Sequence, residues 1–210
     1  MKFFRAFRLA ALPAATLTAM LLPALPDIGA ALAGAALAGA AQAANVAGYA
    51  ADAAQSRLEF TGIQAGAEFK GVFHAFTAAI DFSPDALTSS RIDVQIDMSS
   101  EDSKDKDRDQ TIKSVDVFDV AHSPTAHYVT KSITKTANGY SAVGALTLRG
   151  VTKDVPIDFQ FTQTATGAQL AGDAKLKRLD FGVGQGDWKS TEWIGDVVKV
   201  SFSLLLKSKT

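Results

Sequence analysis

The chain has 210 residues, a formal net charge of −1 at pH 7 and no cysteine. Without cysteine it has no disulfide bond, no thiol nucleophile and no cysteine-ligated zinc. The near-neutral charge and the lack of a basic stripe argue against nucleic acid as a partner.

The first predicted element is a cleaved signal peptide at residues 1–43. Three basic residues near the start precede a long apolar stretch, and Ala41-Gln42-Ala43 supplies the small-x-small pattern that signal peptidase recognises. The alternative is an uncleaved membrane anchor, but Pro23 and Pro26 interrupt the ~20-residue apolar span that a membrane helix needs. We therefore predict a periplasmic protein whose mature part, residues 44–210, is one domain.

From residue 56 onward, apolar and polar side chains alternate, which is the pattern of strands with one buried face. The alternation is clearest where Ile92, Val94 and Ile96 are separated by polar residues. Many short strands with intervening turns predict an all-β fold, an eight-stranded antiparallel barrel with a short helical insertion. An outer-membrane barrel would carry girdles of Trp and Tyr, and with two Trp and three Tyr the chain favours a lipocalin-like barrel with an apolar interior. The predicted strands are Arg57–Gln64, Glu68–Phe82, Arg91–Met98, Ala126–Thr136, Gly139–Arg149, Asp154–Phe161, Gln169–Lys177 and Val197–Leu206.

Two places depart from simple alternation. The apolar positions change parity between Phe73 and Phe76, and a bulge near His74-Ala75 would return both sets to one face. The segment Ser99–Pro124 breaks the pattern, and there, where Asp107-Arg108-Asp109 leads into Thr111–Val115, we predict a short helix with Asp107 as its N-cap.

Two patterns that resemble cofactor or metal motifs fail on spacing. Gly182, Gly184 and Gly186 read G-x-G-x-G, but Asp187 occupies the position where the dinucleotide fingerprint needs its third glycine. The acidic run around residues 105–109 matches three positions of a calcium loop, but it lacks the glycine that makes the sharp turn. We predict no cofactor and no metal, and interpret the glycines as a turn between strands.

Catalytic patterns are also missing from the sequence. His74, His122 and His127 lack the H-E-x-x-H spacing, and no G-x-S-x-G nucleophile elbow is present. We predict surface histidines and a protein that is not an enzyme. A metal-dependent hydrolase would require the three histidines to converge in space.

The predicted inward face mixes large and small side chains. An eight-stranded barrel either fills its interior or holds one ligand. Small residues such as Gly71, Gly144 and Ala174 favour open space, but a packed core predicts the same alternation, so the residues alone leave both possibilities open. The candidate cavity-lining residues are Phe60, Phe69, Phe73, Phe76, Ile80, Ile92, Ile96, Leu146, Leu148, Phe159 and Phe161.

Three blocks of sequence resemble the YceI-like family of secreted, lipocalin-like barrels that bind polyisoprenoids. The resemblance covers about residues 47–206, and the closing FGVGQGDW is similar to a subgroup found beside or fused to cytochrome b561-type membrane proteins. The blocks are Gly71 with Phe73, Phe76 and Asp81-Phe82; Asp102-Ser103 with Arg108-Asp109, Ile112, Phe118-Asp119 and Pro124; and GALTLRGVTK at 144–153.

The resemblance implies a hydrophobic cavity that binds an isoprenoid, quinone or other long-chain amphiphile. Because catalytic and metal motifs are missing from the sequence, we expect binding without chemical change, as a carrier or sequestering protein. Arg108 and Lys113 are candidates for holding a polar head group, and their alternative role is to pair with Asp107, Asp109 or Asp116. A second hypothesis is an accessory subunit without ligand that docks on a cytochrome b561-type partner. A homodimer is also compatible with the sequence.

Overall fold

In the computed structural model, which describes residues 46–209, the alternating segments form one antiparallel sheet of eleven strand segments. Each buries one face, as in the ninth segment, where Val155, Ile157 and Phe159 are buried between exposed neighbours. The segments are β1 (Ala47–Ala51), β2 (Arg57–Gln64), β3 (Ala67–Phe73), β4 (Phe76–Phe82), β5 (Arg91–Asp97), β6 (Glu101–Asp102), β7 (Thr125–Thr136), β8 (Gly139–Leu148), β9 (Val151–Thr164), β10 (Gly167–Lys177) and β11 (Val197–Ser208).

The eleven segments combine into eight long strands that close into a barrel. β1 and β2 lie end to end along β11 and together form the first long strand. β3 pairs with β2 and β4 pairs with β1, so β3 and β4 form the second. β6 pairs with β3 and β5 pairs with β4, so β5 and β6 form the third. β7, β8, β9, β10 and β11 follow as neighbours, and the pairing of β1 with β11 closes the ring. The prediction of an all-β, eight-stranded antiparallel barrel with a short helix is confirmed.

The predicted bulge near His74-Ala75 is a complete break, so the predicted strand Glu68–Phe82 is two segments. The hydroxyl of Ser100, in a turn between β5 and β6, accepts a hydrogen bond from the Ala75 amide at 3.0 Å. The break returns the apolar residues on its two sides to the same face of the sheet, as predicted, because Phe73 and Phe76 are both buried.

Strand β1 was absent from the predicted set. Its small residues produce little alternation, and only Tyr49 among them is a large buried side chain, 4% exposed. Tyr49 lies opposite Ile80 on one side and Ser208 on the other. The segment therefore closes the barrel through its backbone pairing, which local sequence patterns do not reveal.

The helix α1 (Lys106–Lys113) begins earlier than predicted and has a different cap. The side chain of Asp105 accepts hydrogen bonds from the amides of Asp107 and Arg108, both at 3.1 Å. Asp107 instead lies in the first turn, where its negative charge is favourable at the positive end of the helix. The predicted short helix is therefore present in this segment, but the prediction of Asp107 as its N-cap was wrong by two residues.

The predicted signal peptide at residues 1–43 lies outside the described residues. Between residues 46 and 209, no helix combines the length and hydrophobicity needed to span a bilayer.

Candidate functional site

One end of the barrel is closed by aromatic side chains. The ring centroids of Phe82 and Phe161 are 4.5 Å apart, and that of Tyr140 lies 4.9 Å from Phe82 in an edge-on arrangement. Phe159 stacks on Tyr140, and Ile80 beside them is fully buried. Ile80, Phe159 and Phe161, three of the predicted cavity-lining residues, therefore point into the barrel but fill its closed end instead of lining a cavity.

The other end of the barrel contains a cavity of about 460 Å³. This volume falls within the range of about 300 to 1,000 Å³ that is usual for small-molecule sites. Additional wall residues that were not predicted include Met98, Ala126, Tyr128, Val200 and Phe202. The predicted residues on its wall are Phe60, Phe69, Phe73, Phe76, Ile92, Ile96, Leu146 and Leu148.

At two glycines of the barrel strands, the space that a side chain would occupy is already filled by an aromatic ring. A Cβ atom at Gly71 would collide with the ring of Phe60, and one at Gly62 would lie 2.8 Å from the ring of Phe69. The expectation that Gly71 and Gly144 leave room was therefore wrong, because aromatic rings cover them. The small side chain of Ala174 does line the cavity and is buried.

The mouth of the cavity is formed by α1 with the residues after it and by the segment 182–195. Val117 and Phe118 contribute from the first element, and Trp188 and Ile194 from the second. Five polar wall residues belong to α1, its cap or the end of β2, namely Gln64, Asp105, Asp107, Arg108 and Thr111. Arg178 lies with the second element, and Tyr128 is a polar residue of the barrel wall itself. Apart from Tyr128, the cavity is thus apolar along the barrel wall and polar at its mouth.

Arg108 lies on the cavity wall and is also held by the protein. Its Nε donates to the Ser103 hydroxyl at 2.8 Å and its Nη2 to the Ser103 carbonyl at 2.9 Å. Its guanidinium carbon lies 4.8 Å from the centroid of the Phe69 ring, and Nη1 is 3.8 Å from the carboxylate of Asp105. Its acidic neighbour is therefore Asp105 and not one of the three predicted aspartates. Among the described residues Nη1 has this ion pair but no hydrogen bond, unlike Nε and Nη2.

Lys113 is not part of the cavity wall, unlike Arg108. The pKa of Asp97 is lowered mainly by hydrogen bonds from Ser99, and that of Asp109 is lowered, against the effect of burial, mainly by hydrogen bonds from Ser103; the charge of Lys113 adds to both shifts. Among residues 46–209 no carboxylate lies within 4.0 Å of Lys113, so the predicted pairing with Asp107, Asp109 or Asp116 is not observed either.

A buried carboxyl lies next to the helix that forms the mouth. Glu101 is 2% exposed, and neither of its carboxyl oxygens has a hydrogen-bond partner among the described residues. Burial and the nearby negative charge of Asp109 raise the pKa of Glu101 to about 7, while the charge of Lys113 opposes this shift. Glu101 therefore exchanges its proton near neutral pH, in contrast to an ordinary glutamate.

Arg178, at the end of β10, organises the second element of the mouth and was missed by sequence reasoning. It is 4% exposed, and burial lowers its pKa. Its guanidinium donates to four backbone carbonyls, those of Val183 (3.0 Å), Ser190 (3.1 Å), Ile194 (2.9 Å) and Gly195 (3.1 Å). The side chain of Arg178 thus connects the start of the segment 182–195 to its end.

The contact with Arg178 explains the glycine at position 184. Gly184 has a left-handed φ of 93°, and a Cβ atom there would collide with Nη1 of Arg178. The interpretation of these glycines as a turn agrees with the structure, and an arginine at a strand end before a glycine-rich stretch was the available signal.

The three histidines are held apart by separate carboxylates. Within residues 46–209, His, Asp and Glu side chains form no group of three suited to a metal ion. This arrangement contradicts the hydrolase hypothesis, which required the histidines to converge. The pairs are His74 with Asp102 (3.3 Å), His122 with Asp119 (2.8 Å) and His127 with Asp93 (2.7 Å).

Comparison with known proteins agrees with the fold. A family model described as a YceI-like domain matches residues 49–206. The chain is 32% identical over 145 residues to a UPF0312 protein of Vibrio vulnificus strain YJ016, which covers 66% of this chain and 77% of that protein.

Solved structures show the same architecture. BcnA of Burkholderia cenocepacia is similar with a TM-score of 0.70 and 29% identity, covering 73% of this chain and 98% of that chain. A polyisoprenoid binding domain from Saccharophagus degradans, implicated in plant cell wall breakdown, shares the fold with a TM-score of 0.59 at 17% identity, over 78% of this chain and 99% of that one. Because the family model spans most of the barrel, the chain belongs to the YceI-like family.

Proposed function

We propose that this protein binds one long-chain lipid, such as an isoprenoid or a quinone with an isoprenoid tail, inside the barrel and carries or sequesters it in the periplasm. The observation that carries the proposal is the cavity of about 460 Å³, whose barrel wall is apolar except for Tyr128 and whose charged residues lie at its mouth. A neighbour of the same fold is a polyisoprenoid binding domain, which supports this class of ligand.

The apolar wall accounts for affinity. Burying each methylene group contributes about 0.8 kcal/mol, and micromolar affinity corresponds to about 8 kcal/mol after the costs of association. A few isoprene units in contact with the wall are therefore sufficient. One methylene more or less changes affinity only about fourfold, so the cavity discriminates poorly between chain lengths.

Specificity for the head group comes from the mouth. A quinone carbonyl or a phosphate accepts hydrogen bonds, and Arg108 and Gln64 on the wall carry donors. Because Nε and Nη2 of Arg108 already bind Ser103, the guanidinium is fixed in position before a ligand arrives. Preorganisation of this kind reduces the entropy lost on binding.

Binding without chemical turnover is the mode that the site supports. Its wall offers Tyr128 as an ionisable group in the apolar part, and burial raises the pKa of that phenol, so it stays protonated and cannot act as a base. The accessory-subunit hypothesis predicted a filled barrel, and the open cavity does not favour it.

The chain provides its own reporter for a direct test. It has two tryptophans, of which Trp188 lies on the cavity wall and Trp193 is 69% exposed. In a Trp193→Phe variant, ubiquinone added to the delipidated protein should quench Trp188 fluorescence saturably with a stoichiometry of one. A Trp188→Phe variant, which retains the exposed tryptophan, is the control and should show little saturable quenching.

The chemistry of the ligand is tested separately. Mass spectrometry of the organic extract should recover the ligand intact after long incubation, and EDTA should leave the titration unchanged. Replacing His74, His122 and His127 together by Ala should preserve most of the affinity. Recovery of a cleaved or oxidised product, or loss of binding in EDTA, would contradict the carrier function.

A further inference from the structure

Four exposed lysines lie on the outside of the barrel near the end that carries the mouth. Lys175 is directly opposite Lys199, Lys199 is opposite Thr61, and Thr61 is opposite Lys70, so these positions form one row across β10, β11, β2 and β3. Lys177 lies two residues closer to the mouth on β10. Within residues 46–209, none of the four lysines is within 4.0 Å of a carboxylate.

Like charges placed directly opposite each other on neighbouring strands destabilise a sheet. The Lys175 and Lys199 pair is therefore unfavourable for the isolated barrel. An anionic surface outside the barrel would relieve this repulsion.

Two large apolar side chains are exposed beside the lysines. Val197, opposite Lys177, is 52% exposed and Trp193 is 69% exposed. Trp193 lies at the mouth, because its carbonyl accepts a hydrogen bond from the Ala65 amide and its neighbour Ile194 lines the cavity. The mouth surface consists of these six residues, Lys70, Lys175, Lys177, Lys199, Trp193 and Val197.

Acidic residues lie both farther along the barrel and beside the mouth surface. Asp173 and Glu59 lie opposite Ser201 from either side, in the row two residues farther from the mouth than Lys175 and Lys199. Two residues of a strand span roughly 7 Å. Glu68, Glu192 and Asp196 flank the mouth surface. Asp154 and Asp180 lie beside Lys175 and Lys177, but they pair with Lys131 and Lys153 instead.

We propose that the mouth surface docks on a bilayer of anionic phospholipid. The lysines contact the phosphate groups, and Trp193 and Val197 enter the interface between head groups and acyl chains. The cavity mouth then faces the bilayer, so a lipid passes between membrane and barrel without crossing water. The proposal rests on the proposed function, since it identifies where the lipid is taken up or delivered.

The energies favour reversible docking. Each lysine near an anionic surface contributes about 1 kcal/mol, and the attraction falls off over a Debye length of about 8 Å at physiological ionic strength. Since Trp193 and Val197 are the apolar anchors, the association stays weak enough for release. A carrier that shuttles lipid needs this reversibility.

Vesicle co-sedimentation tests the docking. The purified exported protein, verified by mass spectrometry to lack residues 1–43, is mixed with vesicles of phosphatidylglycerol and phosphatidylcholine or of phosphatidylcholine alone. Binding is expected with the anionic vesicles and should weaken at high salt. Lys199→Glu should weaken it about 10- to 30-fold, since reversing one charge removes one attraction and adds one repulsion. Lys135→Glu, at an exposed position of β7 opposite Tyr140 near the closed end, changes the net charge equally and should have little effect.

Insertion of the tryptophan is tested in the Trp188→Phe variant, in which Trp193 is the remaining tryptophan. Anionic vesicles should shift its emission to the blue, and brominated acyl chains should quench it. Equal binding to both vesicle types, equal effects of Lys199→Glu and Lys135→Glu, or an unquenched Trp193 would each overturn the proposal, as would docking on an acidic protein in place of vesicles.

The ligand titration in solution separates this proposal from the proposed function. Saturable quenching of Trp188 without vesicle binding would overturn the docking and leave lipid binding intact. Vesicle binding by a protein that shows no ligand response would support the docking and contradict the carrier function.

Discussion

The ring of Tyr128 lies over Gly144 on the neighbouring strand, and its hydroxyl donates a hydrogen bond to the Val155 carbonyl at 3.3 Å. The ring of Phe60 covers Gly71 in the same way. A ring that folds over a glycine lies along the sheet and does not reach across the barrel. The glycines therefore keep the cavity open indirectly, by letting aromatic side chains lie against the wall.

This relationship predicts the effect of a single methyl group. Gly144→Ala should force the Tyr128 ring away from the wall and lower the free energy of unfolding by about 1 to 3 kcal/mol, a typical cost of overpacking. Urea denaturation measures it. In a Tyr128→Leu background the same substitution should cost less, and an equal cost in both backgrounds would show that the two residues are not coupled.

The volume of the cavity can be reduced at a residue that truly borders it. Ala174→Phe should weaken ligand binding at least tenfold while the barrel stays folded, because the new ring occupies ligand volume at a cost of about 1 to 3 kcal/mol. Ala79→Phe, at an exposed position of β4, is the matched control and should bind normally. Unchanged affinity in a folded Ala174→Phe protein would place the ligand elsewhere. Gly144→Phe is less suitable, since it displaces Tyr128.

Arg178 should be essential for the shape of the mouth. Arg178→Lys loses the planar arrangement that reaches four carbonyls, and each lost bond to a charged donor costs about 1.5 to 3 kcal/mol. We expect a loss of about 3 kcal/mol or more in unfolding free energy, with faster hydrogen exchange at the amides of Gly184 and Gln185. Arg57→Lys, at an exposed side chain, should change neither quantity. Normal exchange in folded Arg178→Lys would contradict this role.

The buried carboxyl of Glu101 makes stability depend on pH near neutrality. Its pKa is about 7 in the folded protein against an ordinary value of 4.5, so between these two pH values the unfolded chain has released a proton that the folded barrel retains. The contribution of Glu101 to the free energy of unfolding therefore falls by roughly 3 kcal/mol as the pH rises from about 4.5 to about 7.

Glu101→Gln removes the titrating group and should flatten this part of the profile. Urea denaturation at pH 5 and pH 8 measures the difference, and Glu68→Gln, at an exposed position, is the control. The lowered pKa values of Asp93 and Asp109 have the opposite sign and act below their ordinary range, outside this window. A Glu101→Gln protein with the same pH dependence as the unchanged protein would contradict the assignment.

The N-terminus is the simplest prediction to check. If residues 1–43 are a signal peptide, the exported protein should begin at or near Ala44. N-terminal sequencing of material from the periplasm decides this. A start before Leu25, or an intact Met1 in the exported fraction, would refute the cleavage.

Alternation in the sequence was sufficient to predict the strands of the barrel and most of the residues on its inner wall. A period of two determines which side of a strand is buried, so residues such as Phe60, Phe73 and Ile92 were assigned inward without any structure. The run at 144–153 and the two other sequence blocks were likewise sufficient to identify the family, since the family model matches the same part of the chain.

Position along the barrel axis was decided only by the tertiary structure. Phe159 and Leu146 are both inward, yet one packs into the closed end and the other faces the cavity, because their depth depends on the register with neighbouring strands. The same holds for Arg178 and Glu101, whose burial arises from segments distant in sequence. Local periodicity specifies the face of a side chain, but long-range pairing specifies its neighbours, and the neighbours determine whether it fills, lines or closes the cavity.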